Sequence, residues 1–374
     1  MSNIGLDISA LAYDRGVSRY TANLVRSLIR YTPHQIWLYG SSFGQYQNLV
    51  QKARSLLGHD ASTSIQHYPV KLLSWLWRLG LNSVKNALPQ IEVFHSWDYL
   101  QPPDLDLPLV STIHDLAMLK FPQSAHPDVL SAHKRAWQVL QQRNCQIIAV
   151  SQATKRDIVE LLGIPQYRIH VVPEALPEEM RQVTNTMTDT EFDQITAQLQ
   201  LTKPFILSVG VREPRKNLKR LIQAWQPLAN EYDLLVAGAE GWHDDQKIPG
   251  PQPKFLGHVD TKTLSVLYSQ AVLFAYPSLY EGFGLPILEA FHHATPVLTT
   301  NNSGMLEVAG NAAELVDPES VEDIRRGLGL LLSENDADRA KRTQRMIIRL
   351  QLFSWERTAR ETAAVYQKAI EDFK

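Results

Sequence analysis

Short apolar, β-branched runs alternate along the chain with segments whose apolar positions recur at helical spacing. That alternation predicts parallel sheets in an α/β fold. The first series of strands is expected at Ile4–Ile8, Gln35–Tyr39, Val93–His95, Leu109–Ile113, Gln146–Val150 and Ile169–Val172. After Ile4–Ile8 come a loop and a helix with Leu24, Val25, Leu28 and Ile29 on one face. A second series begins at Phe205–Val209 and continues through Leu234–Ala237, Val272–Tyr276, Val297–Thr300 and Glu314–Val316. Between them, Glu178–Lys203 is polar, rich in Thr and Gln, and reads as the linker. The expected organisation is a domain over 1–180, a second over 200–354, and a helix over 355–374 packing back on the first. Two doubly wound domains facing across a cleft would set both groups of strand C-termini around one ligand.

The richest stretch for chemistry is Tyr276-Pro-Ser-Leu-Tyr-Glu281-Gly-Phe-Gly-Leu-Pro-Ile-Leu-Glu289. Gly282 and Gly284 fall between a buried strand and a helix, with Pro286 suited to the first helical position. Free N–H groups and partial positive charge at such a helix start suit a diphosphate. Glu289 is expected in the first turn, where a carboxylate accepts two sugar hydroxyls; Glu281 is placed to serve a second sugar. Three cations, Arg212, Arg215 and Lys216, follow Phe205–Val209 and suit an oxyanion. Alone they read rather as a solvated loop capping its helix through Asn217; beside the glycine loop of the same domain the phosphate reading takes the lead.

In the first domain His114-Asp115 follows a strand, where open α/β sheets bind ligands. An imidazole there can donate to a substrate oxygen or accept a proton, with Asp115 expected to orient it. The alternative is a histidine satisfied by backbone. Tyr13-Asp-Arg15-Gly16-Val-Ser18-Arg19-Tyr20 reads as a strand-to-helix loop in which Gly16 permits a turn that admits a ligand. Other patterns are set aside. Asp104-Leu-Asp106 lies in a Pro-Pro-flanked loop and reads as surface; His292 and His293 diverge on a helix, so no metal site is expected. Gly282-Phe-Gly284 lacks the third glycine of a dinucleotide fingerprint, which disfavours a dehydrogenase.

At 374 residues two domains are the natural expectation, and 44% apolar with 20% charged residues describes an ordinary globular chain. The single cysteine, Cys145, excludes a disulfide framework and fits a reducing, cytoplasmic compartment. The net charge of −2 divides into +4 over residues 1–175 and −6 over the remainder, which reads either as a first half that faces an anionic partner or as chance scatter of surface charge. There, the run Tyr68–Leu88 mixes Trp75 and Trp77 with Lys71, Arg78 and Lys85. It reads as a peripheral membrane contact through 68–88, or as an ordinary helix packed on the first sheet. No signal peptide opens the sequence, no apolar run reaches the roughly 20 residues of a membrane span, and no nucleic-acid partner is expected.

Together these residues resemble the retaining GT-B glycosyltransferases with a Glu-x7-Glu signature. The likeness runs through Gly16–Tyr20, Ile113-His114-Asp115, Val150-Ser151, Val172-Pro173, Glu213-Pro-Arg215-Lys216-Asn217, Tyr276-Pro-Ser278, Glu281–Glu289 and Phe353-Ser-Trp355-Glu. It is similar above all to the mannosyltransferases of polysaccharide assembly. The resemblance implies that Glu289 binds a nucleotide ribose and Glu281 the transferred sugar. Lys216, with Arg212 or Arg215, would neutralise the diphosphate. Backbone from Gly282 through Phe283 and Gly284 to Leu285 would hold phosphate or sugar oxygens, and His114 would contact the donor sugar near the reacting carbon. It further implies GDP-mannose or a UDP-sugar as donor, a glycan or lipid-linked acceptor, and no metal or other cofactor. A glycan phosphorylase, a nucleotide-sugar isomerase, or a non-catalytic binder on the same scaffold are the alternatives. Three positions depart from the pattern. Ser18 stands where relatives often carry glycine, Glu174 where an Asn-Gly pair is common, and Arg212 one place later than usual.

Overall fold

A computed structural model describes residues 1–13, 16–58, 62–241 and 248–373, the side chains of Val70 and Ser124 excepted. The chain divides into two compact units: residues 1–116, 125–174 and 354–374 form one, and 117–124 with 175–353 the other.

The first unit is built on a seven-stranded sheet: β1 (Asn3–Asp7), β2 (Gln35–Ser41), β3 (Thr63–Gln66), β4 (Val93–Trp97), β5 (Leu109–Ile113), β6 (Gln146–Ala149) and β7 (Ile169–Val171). Their order is β3-β2-β1-β4-β5-β6-β7, and every pair is parallel. Every residue of β4 and β5 is buried, as expected of central parallel strands covered on both faces. The second unit holds β8 (Phe205–Val209), β9 (Asp233–Ala237), β10 (Lys254–Gly257), β11 (Leu273–Tyr276), β12 (Val297–Thr300) and β13 (Glu314–Val316), ordered β10-β9-β8-β11-β12-β13 and again parallel. Its core joins Ile206, Leu234 and Leu273 of the sheet to Leu221 and Trp225 of the helix Leu218–Trp225. In each sheet the strand order reverses beside the first strand, at β1/β4 and at β8/β11. Those switch points open a crevice at the strand C-termini.

Two strands escape the periodicity reading, β3 and β10, and both are sheet edges. Thr63–Gln66 has no fully buried residue, and Lys254–Gly257 is half exposed, so neither carries the apolar run that marks an inner strand. The expected linker is also different: 178–203 folds into the helices Glu178–Thr186 and Asp189–Leu199, both within the second unit. Thr188 and Glu191 form a capping box that starts the second of these helices. Residues 117–124, expected within the first domain, group with the second unit.

The closing helix, Trp355–Phe373, lies in the first unit against the helix Gly16–Tyr31. It is tied by polar contacts as well as packing. Tyr366 Oη stands 2.7 Å from His95 Nδ1, Gln146 donates to Asp372 at 2.8 Å, and Thr358 donates to the Pro173 carbonyl at 2.8 Å. The other imidazole nitrogen of His95 meets Thr112 Oγ1 at 2.8 Å. Burial, and secondarily the charge of His114, lowers the His95 pKa to about 3, so this ring is a neutral link between sheet and helix.

Candidate functional site

In the second unit the chain leaves β8 at Gly210, whose φ of +147° favours glycine and which lies against the aliphatic stem of Lys216. A single turn, Pro214–Lys216, then presents Arg215 and Lys216. Asn217 follows in the left-handed conformation, φ +60°. Its side chain does not cap the next helix; it donates to the carbonyls of Pro277, at 2.9 Å, and Pro318, at 2.6 Å. Leu279 N donates to the Arg215 carbonyl at 2.7 Å. The cation turn is thereby tied to the segment that leaves β11.

That segment delivers Glu281 to both cations. Lys216 Nζ lies 2.6 Å from Glu281 Oε1 and Arg215 Nη1 2.6 Å from Oε2, while Arg215 Nε reaches Glu213 at 2.8 Å. Lys216 also donates to Tyr276 Oη at 2.9 Å. Burial alone would raise the Glu281 pKa; Arg215 and then Lys216 overcome it and hold the carboxyl at about 2. Burial, with the repulsion of Arg215, lowers Lys216, because one carboxylate is shared between two cations. Two carboxylates and two cations make a quartet whose formal charges cancel.

Gly284, at φ +115°, starts the helix Leu285–His292. Phe283 is buried with its ring 5.6 Å from that of Phe353, so the loop offers backbone rather than this side chain. Gly304 presses on the loop from the helix Ser303–Ala309: its N–H donates to Glu281 O at 3.1 Å, and a Cβ there would collide with the Gly282 carbonyl. Because the helix begins at Leu285, Glu289 is its fifth residue and stands in the second turn, not the first. It is 2% exposed and accepts from Tyr268 Oη at 3.1 Å. Arg212 is not gathered with the quartet in the contacts observed: its guanidinium pairs with Glu240 at 2.6 Å and lies 4.6 Å above the Phe255 ring. Lys120, which no motif signals, lies 4.7 Å over the ring of Tyr280, the neighbour of Glu281.

In the first unit His114 emerges from β5 with its ring edge-on to Tyr20 at 4.7 Å and 6.2 Å from Trp97. The partner of its Nδ1 is Glu174 Oε1, at 3.1 Å. Asp115, expected in that role from adjacency, acts on the ring through its charge, since neighbours in sequence diverge in direction at a strand end. Burial pulls the His114 pKa down, but the hydrogen bond and charge of Glu174, then the charges of Asp98 and Asp115, raise it overall. Nε2 is buried and has no hydrogen-bond partner among the described residues.

Gly16 is the first residue of the helix Gly16–Tyr31, so 16–20 is a helical turn rather than a loop. Among the described residues nothing lies within 4 Å of a Cβ placed at Gly16. Asp14 and Arg15 lie outside the described residues. Beyond β4, Asp98 pairs with His133 at 3.4 Å, and beside them burial raises the Asp7 pKa to about 6. No spacing in the sequence signals this group.

The aromatic run forms a short helix, Val70–Arg78, ending before Gly80 at φ +68°. Trp77 is buried, whereas Trp75 is 54% exposed beside exposed Leu72 and Leu79. A cavity of about 400 Å³ opens there, lined by Ser74, Trp77, Tyr99, Pro102, Leu105 and Arg135 among others. Asp104, read as surface, is buried: its carboxylate takes the Val84 N–H at 3.0 Å and the Lys85 N–H at 2.9 Å, starting the turn Val84–Ala87. Among the described residues no group of three or more His, Cys, Asp or Glu could hold a metal ion, and no helix is long and apolar enough to cross a membrane.

Comparison with known proteins gives a consistent likeness. A family profile described as "Glycosyl transferases group 1" matches residues 189–348, and one described as "Glycosyltransferase Family 4" matches residues 15–179. The O-antigen chain mannosyltransferase B of Escherichia coli is 30% identical over 287 residues, 74% of this chain and 74% of that protein. The MMP alpha-(1->4)-mannosyltransferase of Mycolicibacterium hassiacum is 26% identical over 304 residues, 72% of this chain and 68% of that one. The solved structure of Anabaena HepE in complex with UDP and glucose covers 98% of this chain and all of its own, with a TM-score of 0.71 at 15% identity, a likeness of fold.

Proposed function

The chain belongs to the group 1 glycosyltransferases, and from that premise we propose that it moves a hexose, mannose, with retention and without a metal, from a nucleotide-diphosphate sugar to a glycan or lipid-linked acceptor in polysaccharide assembly. The observation that carries this reading is the Glu213–Arg215–Lys216–Glu281 quartet at the β8/β11 switch point, beside the Gly284–Leu285 helix start. In the reaction the bond from sugar C1 to the diphosphate oxygen breaks. The acceptor oxygen bonds C1 on the same face, and its proton passes to the departing phosphate oxygen. Lys216 and Arg215 take up the charge that develops on that leaving group. Their preorganisation by Glu281, Tyr276 and Asn217 leaves little to rearrange during reaction.

The quartet is neutral before a donor arrives. A diphosphate therefore draws Lys216 and Arg215 partly away from Glu281, freeing carboxylate oxygens for sugar hydroxyls, while N–H groups over Phe283 to Leu285 add to its hold. Glu289, anchored by Tyr268, holds the ribose, and His114 contacts the donor sugar through Nε2. The names of the two mannosyltransferases support mannose, and hence GDP-mannose; the UDP bound to HepE keeps UDP-sugars as the second choice. Exposed Trp75, Leu72 and Leu79 with cationic Arg78 support a peripheral contact with anionic membrane through 68–88. The lone buried thiol of Cys145 supports a reducing, cytoplasmic setting.

A thermal-shift panel of GDP, UDP and ADP with their sugars tests the assignment. One family of nucleotide sugars should raise the melting temperature at millimolar concentration. If none does, the donor site is misassigned.

A further inference from the structure

We propose that Glu174 is the positioning residue of His114: its carboxylate accepts a hydrogen bond from Nδ1–H, leaving Nε2 as the face offered to a ligand. Glu174 is 8% exposed and follows Val172-Pro173, a segment held by the bond from Val172 N to Ala149 O and by Thr358 on the Pro173 carbonyl. A carboxylate on a fixed backbone can only accept, so the nitrogen 3.1 Å away must carry hydrogen. Nε2 is buried without a partner among the described residues, an arrangement that costs free energy unless a ligand oxygen or nitrogen completes it. The edge-on ring of Tyr20 and the tilted ring of Trp97 hold the plane of the imidazole, so it cannot exchange its two nitrogens without displacing them.

The charge of Glu174 matters beyond its hydrogen bond. Glu174, Asp98 and Asp115 act on the imidazole to favour its protonated form, and the adjacent His95 is held neutral by burial. In the protonated form that these charges favour, His114 donates Nε2–H to an oxygen of the bound sugar. An amide in place of Glu174 would keep a hydrogen-bond acceptor and lose the charge. The inference rests on the reading of His114 as a donor-sugar contact, but its first test is independent of that reading.

The test is nitrogen-detected titration of His114 in the full chain, assigned with H114Q, for the unaltered protein, E174Q and E174D. The unaltered protein should show neutral His114 protonated on Nδ1. Its titration midpoint should lie about one pH unit above that of E174Q, with E174D between them. With the nucleotide sugar found by the panel, the alkaline limb of kcat/KM should move to lower pH in E174Q by the same amount, and recover in E174D. Equal midpoints in the unaltered protein and E174Q overturn the proposal. So does a uniform loss of activity at every pH with an unmoved limb. If E174Q does not fold, the tautomer of the unaltered protein decides, and a proton on Nε2 refutes the proposal. If the titration behaves as expected while no nucleotide sugar binds, the donor-site reading fails and the Glu174–His114 pairing stands.

Discussion

The two strand-end constellations are built on opposite plans. Beyond β8 and β11, Glu281 is held by two cations that are themselves anchored through Tyr276, Glu213 and the Asn217 brace. Beyond β5, among the described residues His114 has one polar side-chain partner, Glu174, and otherwise ring packing, with one nitrogen unpaired. The first is complete without a ligand, and the second asks for one. The contrast teaches where binding free energy comes from in each: rearranging existing ion pairs in the quartet, satisfying an orphaned nitrogen at His114.

Their pH dependences carry opposite signs. The folded-state pKa of Glu281, about 2, lies below its ordinary 4.5, so its contribution is present above 4.5 and lost as pH falls through 2. His114 is raised above its ordinary 6.5, so its contribution is present below that value and lost as pH rises through the folded-state pKa. Glu281→Gln should produce the largest stability loss, about 3 kcal/mol at pH 7, since it leaves the largely covered Arg215 and Lys216 with Glu213 alone. Denaturant melts of both proteins from pH 7 downward should converge as pH approaches 2. A constant gap would break the account of the quartet as an ionised network.

Gly304→Val tests the backbone contact that presses the 282–284 loop into place. The added side chain must displace the Gly282 carbonyl, a loss of about 1–3 kcal/mol seen as a lower denaturation midpoint. In the first unit His95→Phe leaves Tyr366 and Thr112 hydroxyls buried without their partner, for a loss of about 1–3 kcal/mol. A neutral result there would mean that packing alone docks the closing helix. The smallest expected change is at Trp75. Trp75→Ala should leave stability within about 0.5 kcal/mol, because the ring is half exposed, yet weaken sedimentation with anionic vesicles. Unchanged vesicle binding would remove 68–88 as a membrane contact.

The same contrast explains what could be read from sequence. The inner strands announce themselves as apolar runs, and the Glu213–Asn217 and Glu281–Glu289 segments are contiguous, so their residue types sit side by side in the chain. Glu174 is 60 residues from His114, and Lys120 still farther from Tyr280. Adjacency pointed instead to Asp115, and only the sheet brings Glu174 into reach. The edge strands β3 and β10 lacked a buried run. Asp104 looked exposed in a proline-flanked loop because the helix start it caps lies some twenty residues earlier. Glu289 missed its expected turn because the helix begins at Leu285, one residue ahead of Pro286, which makes Glu289 its fifth residue.

The most direct measurement is release of nucleotide diphosphate from the donor that the thermal panel selects, comparing the unaltered protein with Lys216→Ala well below either melting temperature. If Lys216 receives the leaving group's charge, kcat should fall by about 10²–10³. A kcat within tenfold of the unaltered protein, in a variant shown by circular dichroism to be folded, would contradict that role and with it the quartet as the donor site.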